Sequence, residues 1–196
     1  MSAAKNDIVL AGVGGQGILT IAAIVGKAAV ANHLNVKQSE VHGMAQRGGA
    51  VVAHLRLANG PIYSDLIPAG GADVLLAIEP MEALRQLDAV RASGVVLANT
   101  DPVVNIGDYP EVESVLARIR QHPRHAVIEA GRLAGEAGSA RAMNVVMLGA
   151  LSPFLALPAD SLRDMIRTTF AAKGAKIVNV NLTAFDLGRE ASAELA

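Results

Sequence analysis

The chain has 196 residues, enough for one full hydrophobic core, and 52% of them are apolar, which excludes intrinsic disorder. With 17 basic and 18 acidic residues the net charge is −1, which excludes the electrostatic footprint of a nucleic-acid or anionic-membrane binder. There is no cysteine, so disulfides, thiolate nucleophiles and cysteine-held iron–sulfur clusters are excluded, and any redox chemistry must come from a bound organic cofactor or a partner.

Aromatic residues are 3% of the chain and Trp is absent, so the core must be built from Val, Ile, Leu, Ala and Met. That composition suits an α/β layer fold with helices lying close on a sheet. The start, Met1 to Asp7, runs directly into an apolar strand-like segment and does not read as a signal peptide. The longest apolar stretch, Val145 to Pro158, is interrupted by Gly149, Ser152 and Pro153 and is too short to span a bilayer. A soluble cytoplasmic protein of one domain, residues 1–196, is expected.

Ile8-Val9-Leu10-Ala11 reads as a buried first strand. Gly12-Val13-Gly14-Gly15-Gln16-Gly17 follows, then Ile18, Ile21, Ala22, Val25 and Ala29 at helical spacing. This is a strand, a tight glycine turn and a helix. Gly12, Gly14 and Gly17 satisfy G-x-G-x-x-G in the context where backbone amides and a helix N-terminus attract an anion. A dinucleotide site also wants an acidic residue about 20 residues on, at the end of the second strand. Lys37 and Gln38 stand near that spacing and Glu40 slightly beyond, so the match is incomplete. A looser anion site or a backbone-packing role suits the turn better.

Asn35 to Gln38 reads as a short second strand leading into a polar loop, Ser39-Glu40-Val41-His42-Gly43-Met44-Ala45-Gln46-Arg47-Gly48-Gly49. One loop carries an acid, an imidazole, an amide and a guanidinium, with three glycines to free the backbone. Met44 and Ala45 interrupt the polar run as if the loop packs against something. Ala50 to Leu57 alternates and reads as a strand, with His54 and Arg56 on a solvated face. Asn59-Gly60 predicts a hairpin turn with Ile62-Tyr63-Ser64 returning.

Val74 to Ile78 is a buried strand, and Pro80 suits the first turn of the helix carrying Ala83, Leu84, Leu87 and Val90. Glu79 suits a ligand contact at a strand end and helix-start electrostatics equally well. Gly94 to Asn99 is another strand, Asp101 to Gly107 is irregular, and a helix opens at Pro110 and stops at Pro123. His125 to Glu129 reads as the last core strand. From Arg141 the pattern is helical, with Asn144 inside an apolar face as either a core hydrogen-bond anchor or an interface group. Leu162, Met165, Ile166 and Phe170 form the next helix, closed by Gly174. In the final segment the spacing of Val178, Leu182 and Phe185 favours a helix over a strand. The sum is a three-layer Rossmann-like α/β sandwich with a mixed, mainly parallel sheet containing one hairpin.

No G-x-S-x-G elbow, H-E-x-x-H or Walker G-K-[ST] is present, and the five histidines show no metal spacing. Gly107-Asp108 begins like a thiamine diphosphate signature, but Tyr109 stands where a third glycine would be needed.

The glycine turn followed by the eleven-residue loop resembles the gamma-type subunit of the 2-oxoacid:ferredoxin (acceptor) oxidoreductases. Within that family the loop is most similar to the indolepyruvate oxidoreductase beta subunits. The resemblance covers most of the chain, including the Asp73 to Glu79 strand, Asn144 to Ala150 and the ending near Asn181 to Gly188. It implies a thiamine-diphosphate enzyme that oxidatively decarboxylates a 2-oxoacid, makes an acyl-CoA and reduces ferredoxin through iron–sulfur clusters; the loop favours indolepyruvate or another aryl pyruvate, with 2-oxoglutarate, pyruvate and branched oxoacids as alternatives. Thiamine diphosphate, the clusters and CoA are then expected in the complex, the first two held by partner subunits. None is expected to bind this chain alone, which would wall the active site and the subunit interface.

The resemblance implies that Gly12, Gly14, Gly15, Gln16 and Gly17 shape the first loop. It implies that Ser39, Glu40, His42, Gly43, Gln46, Arg47, Gly48 and Gly49 face the subunit interface or a substrate or CoA channel. Arg47 is the best candidate for pairing a carboxylate or phosphate, and His42 for moving a proton or ordering the loop. The alternative is a stand-alone nucleotide-binding Rossmann-like protein using Gly12–Gly17. Isolated from partners, the chain is expected to self-associate, as a homodimer for example.

Overall fold

The computed structural model describes residues 5–43, 48–105 and 107–195. Its central strand is β1 (Lys5–Val13), buried on both faces from Asn6 onward, as the apolar run requires. The chain continues through α1 (Ile18–Ala31), β2 (Asn35–His42), β3 (Ala50–Ala58), β4 (Ala72–Ala77), α2 (Pro80–Arg85) and β5 (Val90–Asn99). Then come α3 (Val112–Ile119), β6 (His125–Ile128), α4 (Ala130–Glu136), α5 (Met143–Leu151), α6 (Ala159–Phe170) and α7 (Ala175–Ala191).

The six strands lie in the order β2-β3-β1-β4-β5-β6. β1, β4, β5 and β6 pair in parallel, while β3 is antiparallel to both β1 and β2. β2 therefore runs in the direction of β1, but with β3 inserted between them. One sheet face packs Ile8, Leu10, Leu55, Leu76 and Leu97 against α1, α4, α5, α6 and α7. The other packs Val9, Ala11, Leu75 and Val96 against α2 and α3. The expected three-layer mixed architecture is the one found.

Several details differ from the sequence reading, among them Leu87 and Val90, which lie beyond α2 because that helix ends at Arg85 and Val90 opens β5. The hairpin is formed by β2 and β3, not by a turn at Asn59-Gly60, because residues 61–64 pair with no strand. There the polar groups serve the sheet instead: the Ser64 and Leu66 carbonyls accept from Arg56 Nη1 at 3.1 and 3.0 Å. β2 extends to His42, so Ser39 to His42 are strand and not loop. It is the sheet's edge and both its faces are largely exposed, which erased the apolar alternation that marks a strand. α4 was missed because its sequence, AGRLAGE, has two glycines and little apolar periodicity.

His54 and Arg56 do not face solvent. Segment 61–67 crosses over them, and the Ile67 amide donates to His54 Nδ1 at 2.9 Å. Arg56 donates twice to the buried Asp7 carboxylate, at 2.7 and 3.0 Å, and Lys5 approaches the same group at 2.9 Å. Burial alone would raise the pKa of Asp7, but Arg56 and Lys5 hold it below the ordinary value of 3.8. The terminal segment is helical, as its spacing suggested, and buries Phe185 completely, a contribution of roughly 2–3 kcal/mol.

Candidate functional site

The carboxyl ends of β1, β2, β4, β5 and β6 share one edge of the sheet with the start of β3. Chain connections leave β1 toward the α1 layer and β4 toward the α2 layer, so the order reverses between these two strands. Open α/β sheets bind ligands in the crevice at such a point. Here Gln16 closes it: its Oε1 accepts from Val13 N at 2.7 Å, and its Nε2 donates to Ile78 O at 3.3 Å. The side chain lies directly over Gly12, where a Cβ would collide with it.

The glycine turn is also joined to the connection between β2 and β3. Gly14 N donates to Gly49 O at 2.9 Å, and Gly48 N donates to Gly14 O at 3.4 Å. These bonds extend the β1–β3 ladder one step past its last pair, Val13 with Ala50. The glycine turn and the last two residues of the polar stretch are therefore joined directly. Gly15 (φ 102°), Gly17 (φ 83°) and Gly48 (φ 80°) occupy the left-handed region that excludes most side chains. Gly43 N returns to Ala50 O at 3.3 Å. Gln46 and Arg47, with Met44 and Ala45, lie outside the described residues.

Beside the turn, on the α1 face, is an open cleft of about 360 Å³. Ile18 and Leu19 of α1 form one wall and Val51 of β3 another, with Glu40 and His42 of β2 at the side and Val13 to Gly15 at the floor. His42 Nε2 stands 3.9 Å from Glu40 Oε1, and its Nδ1 lies 3.4 Å from Gly43 O. Ser39 lies on the opposite face of β2, paired across the ladder with His54, and its Oγ is buried with no hydrogen-bond partner among the described residues. The structure thus brings Gly14, Gly15, Gly17, Glu40 and His42 to one cleft and leaves Ser39 off it. Leu19, Val41 and Val104 are exposed around the same edge, an apolar rim of the kind that marks contact surfaces.

Further along the edge, residues 100–105 and 107–111 lie across the strand ends. The sequence marks Asp101 to Gly107 only as irregular and opens a helix at Pro110, whereas α3 starts at Val112 and the residues before it hold the site. Buried Glu79 caps α2 by accepting Glu82 N at 2.9 Å, and also accepts Val103 N at 3.3 Å and Tyr109 OH at 2.5 Å. Burial, then the acceptor Glu79, hold the proton on Tyr109 and raise its pKa strongly. Burial likewise raises Glu82, with Arg85 opposing and Glu79 adding to the rise. Asn105 Nδ2 donates to Gly48 O. Asn144 sits behind the turn, its Nδ2 3.5 Å from Gly17 O, a contact within the chain.

This geometry does not suit a dinucleotide. β3 stands where the second Rossmann strand would place its acidic residue, Gly14 N is engaged by Gly49, and Gln16 fills the crevice. Among the described residues no three His, Asp or Glu gather to hold a metal, and no helix is long and apolar enough to cross a membrane.

Fold and site define an α/β unit whose glycine turn is engaged in packing, bonded by Gly49 and Gly48 and closed by Gln16. The fold is shared with a keto/oxoacid ferredoxin oxidoreductase gamma subunit from Geobacter sulfurreducens, at TM-score 0.69 and 22% identity over 96% of this chain and 99% of that one. It is shared too with a 2-oxoglutarate:ferredoxin oxidoreductase from Magnetococcus marinus, at TM-score 0.79 and 22% identity over 98% of this chain and 32% of that one. The chain belongs to the pyruvate ferredoxin/flavodoxin oxidoreductase family, whose model matches residues 7–191. It is 41% identical, over 94% of either chain, to the indolepyruvate oxidoreductase subunit IorB of Archaeoglobus fulgidus. The sequence-based expectation of a gamma-type oxidoreductase subunit therefore holds.

Proposed function

We propose that this chain, acting as one unit over residues 1–196, is the accessory subunit of a cytoplasmic 2-oxoacid:ferredoxin oxidoreductase whose substrate is indolepyruvate or another aryl pyruvate. The complex decarboxylates the oxoacid on thiamine diphosphate, forms an acyl-CoA and passes electrons through iron–sulfur clusters to ferredoxin. The observation that carries this reading is the end-to-end match to a relative named as an indolepyruvate oxidoreductase subunit.

The residues of this chain do not fit the redox cofactors. It has no cysteine for a cluster and, among the described residues, no carboxylate set for a diphosphate-bound metal. Those groups belong to a partner. The contribution of this chain is a rigid edge: the joined turns set the floor of the cleft, Ile18, Leu19 and Val51 offer it apolar walls, and Glu40 with His42 place polar groups at its side. The connection carrying Gln46 and Arg47 meets the partner or the substrate from that edge. Alone, the chain pairs with itself through the exposed Leu19, Val41 and Val104.

Anaerobic affinity purification of the tagged chain from its native host tests the reading. A stoichiometric partner bearing thiamine diphosphate and cysteine-ligated clusters is expected, with ferredoxin reduction driven best by aryl pyruvates. Recovery of the chain alone, or a complex that turns over no 2-oxoacid, would sink it.

A further inference from the structure

β2 is an edge of the sheet: among the described residues β3 pairs with one of its sides and no strand with the other. The direction of its free groups follows from the ladder. In an antiparallel pair, residues alternate between those that exchange hydrogen bonds with the neighbour and those that turn their N–H and C=O away from it. One step past the last pair, His42 with Val51, Gly43 N donates to Ala50 O at 3.3 Å. Asn35, Lys37, Ser39 and Val41 share that phase and face β3. Val36, Gln38, Glu40 and His42 therefore turn their N–H and C=O to the open edge. The bond from Gly14 N to Gly49 O gives the same phase, since it commits residues 51, 53, 55 and 57 of β3 to β1 and leaves 50, 52, 54, 56 and 58 for β2. Such an edge is a template for another strand, and this one has no proline or bulge to blunt it.

A two-fold axis through Ser39 makes the edge complementary to itself. It sets Val36 opposite His42 of a second copy, Gln38 opposite Glu40, and the reverse. The outward residues then meet only outward residues, so each of their N–H and C=O groups is paired. Neither charge faces its like. Glu40 meets the Gln38 amide on the α1 face. On the other face Lys37 meets Val41, 64% exposed, and covers it with its aliphatic stem. The neighbouring symmetric registers are poorer. An axis through Gln38 leaves His42 beyond the end of the other strand and sets Val36 against Glu40. An axis through Glu40 sets the two Glu40 carboxylates against each other.

We propose that two copies of this chain join edge to edge through β2 in the Ser39-centred register, and that each copy thereby brings Val36 and Gln38 against the side of the other's cleft formed by Glu40 and His42. The proposal rests on the self-pairing of the isolated chain stated above and not on the identity of the oxoacid.

The test uses the full chain purified without its partner subunit. The chain has no cysteine. Lys37→Cys combined with Val41→Cys therefore introduces thiols that the register places opposite each other, in a non-hydrogen-bonded pair whose Cα separation of about 4.5 Å suits a disulfide. Mild oxidation of the double variant is expected to link two copies, while Lys37→Cys alone links none. Sedimentation reads the charge on the α1 face. Gln38→Glu, which opposes Glu40 at two symmetric places, is expected to weaken the dimer about tenfold, and Gln38→Lys to tighten it. A dimer whose double-cysteine variant stays unlinked, or whose affinity is the same in Gln38→Glu and Gln38→Lys, overturns the edge pairing while self-pairing through another face stands. A chain that is monomeric at every concentration overturns both. Protection of the Gln38 and Glu40 amides from hydrogen exchange only once the partner subunit binds would give the edge to that partner, and overturns the edge pairing as well.

Discussion

Gly17 and Asn144 approach so closely that a single methyl group does not fit between them. A Cβ on Gly17 would overlap the Asn144 amide, and Gly17 itself sits at φ 83° as the residue preceding α1. Gly17→Ala therefore combines about 1 kcal/mol of left-handed backbone strain with a steric term of about 1–3 kcal/mol. Thermal melts should show a marked loss. Adding Asn144→Gly to Gly17→Ala should recover the steric part and not the backbone part, which a double-mutant cycle separates.

A second close approach lies between helices. A Cβ at Gly188 of α7 would enter the carbonyl oxygen of Val146, and one at Gly149 of α5 would enter that of Phe185. Neither obstacle is a side chain that can rotate away, so α5 and α7 would have to separate and uncover Phe185. Gly188→Ala is expected to cost about 3 kcal/mol or more, seen as a lower denaturation midpoint or loss of soluble protein. An unchanged midpoint would mean that the two helices do not pack as described.

The elements that were legible in the sequence are those whose burial is asymmetric or complete. β1, β4 and the α3 and α6 stripes have apolar residues at a spacing that only one element type satisfies. The strand order was not legible, because nothing local says that β3 inserts between β1 and β2. For the same reason the sequence named the glycine turn and the polar loop separately, while their bonding through Gly14, Gly48 and Gly49 depends on that insertion. Gln16 was noted as part of a motif, but its closing of the crevice requires knowing that Ile78 lies next to Val13. Asn105 and Tyr109 carried one available signal, an irregular segment of unusual length.

Asp7 and Arg56 fasten the start of β1 to β3 and to segment 61–67. Asp7→Asn would leave the guanidinium, 15% exposed, without its counter-charge, at a cost of about 3 kcal/mol. Because the folded pKa of Asp7 is lowered, the stability it lends is present above the ordinary value of 3.8 and is lost as pH falls through the folded value. Acid unfolding below about pH 4 should thus be shallower in Asp7→Asn than in the parent, measured by far-ultraviolet circular dichroism.

His54 gives the same patch a milder acid response. Burial first, then the charge of Arg56, lower its pKa below 6.5, against the pull of Asp65. Its neutral Nδ1 accepts the Ile67 amide, so protonation removes an acceptor. The associated stability is complete above 6.5 and declines as pH drops through the lower folded value. The protection of the Ile67 amide, its exchange rate relative to the intrinsic rate at the same pH, should fall on acidification before the sheet unfolds, and His54→Phe should lower that protection at every pH.

Val51 offers the cleanest test of whether the cleft receives substrate. It projects from β3 into the cleft on the same face as His42 and Glu40, opposite Gly12 in the ladder. Val51→Phe keeps a good strand former and adds a ring to open space, so the melting temperature should move by little. The ring would occupy a substantial part of the roughly 360 Å³ and face Ile18 and Leu19. If the aryl group of the oxoacid enters there, its KM should rise about tenfold or more while pyruvate, with only a methyl group, is affected less, since one or two lost apolar contacts are worth about 1–3 kcal/mol. Equal effects on both substrates would place the aryl group elsewhere. No effect on either would mean that the cleft is covered by the partner subunit and not entered by substrate.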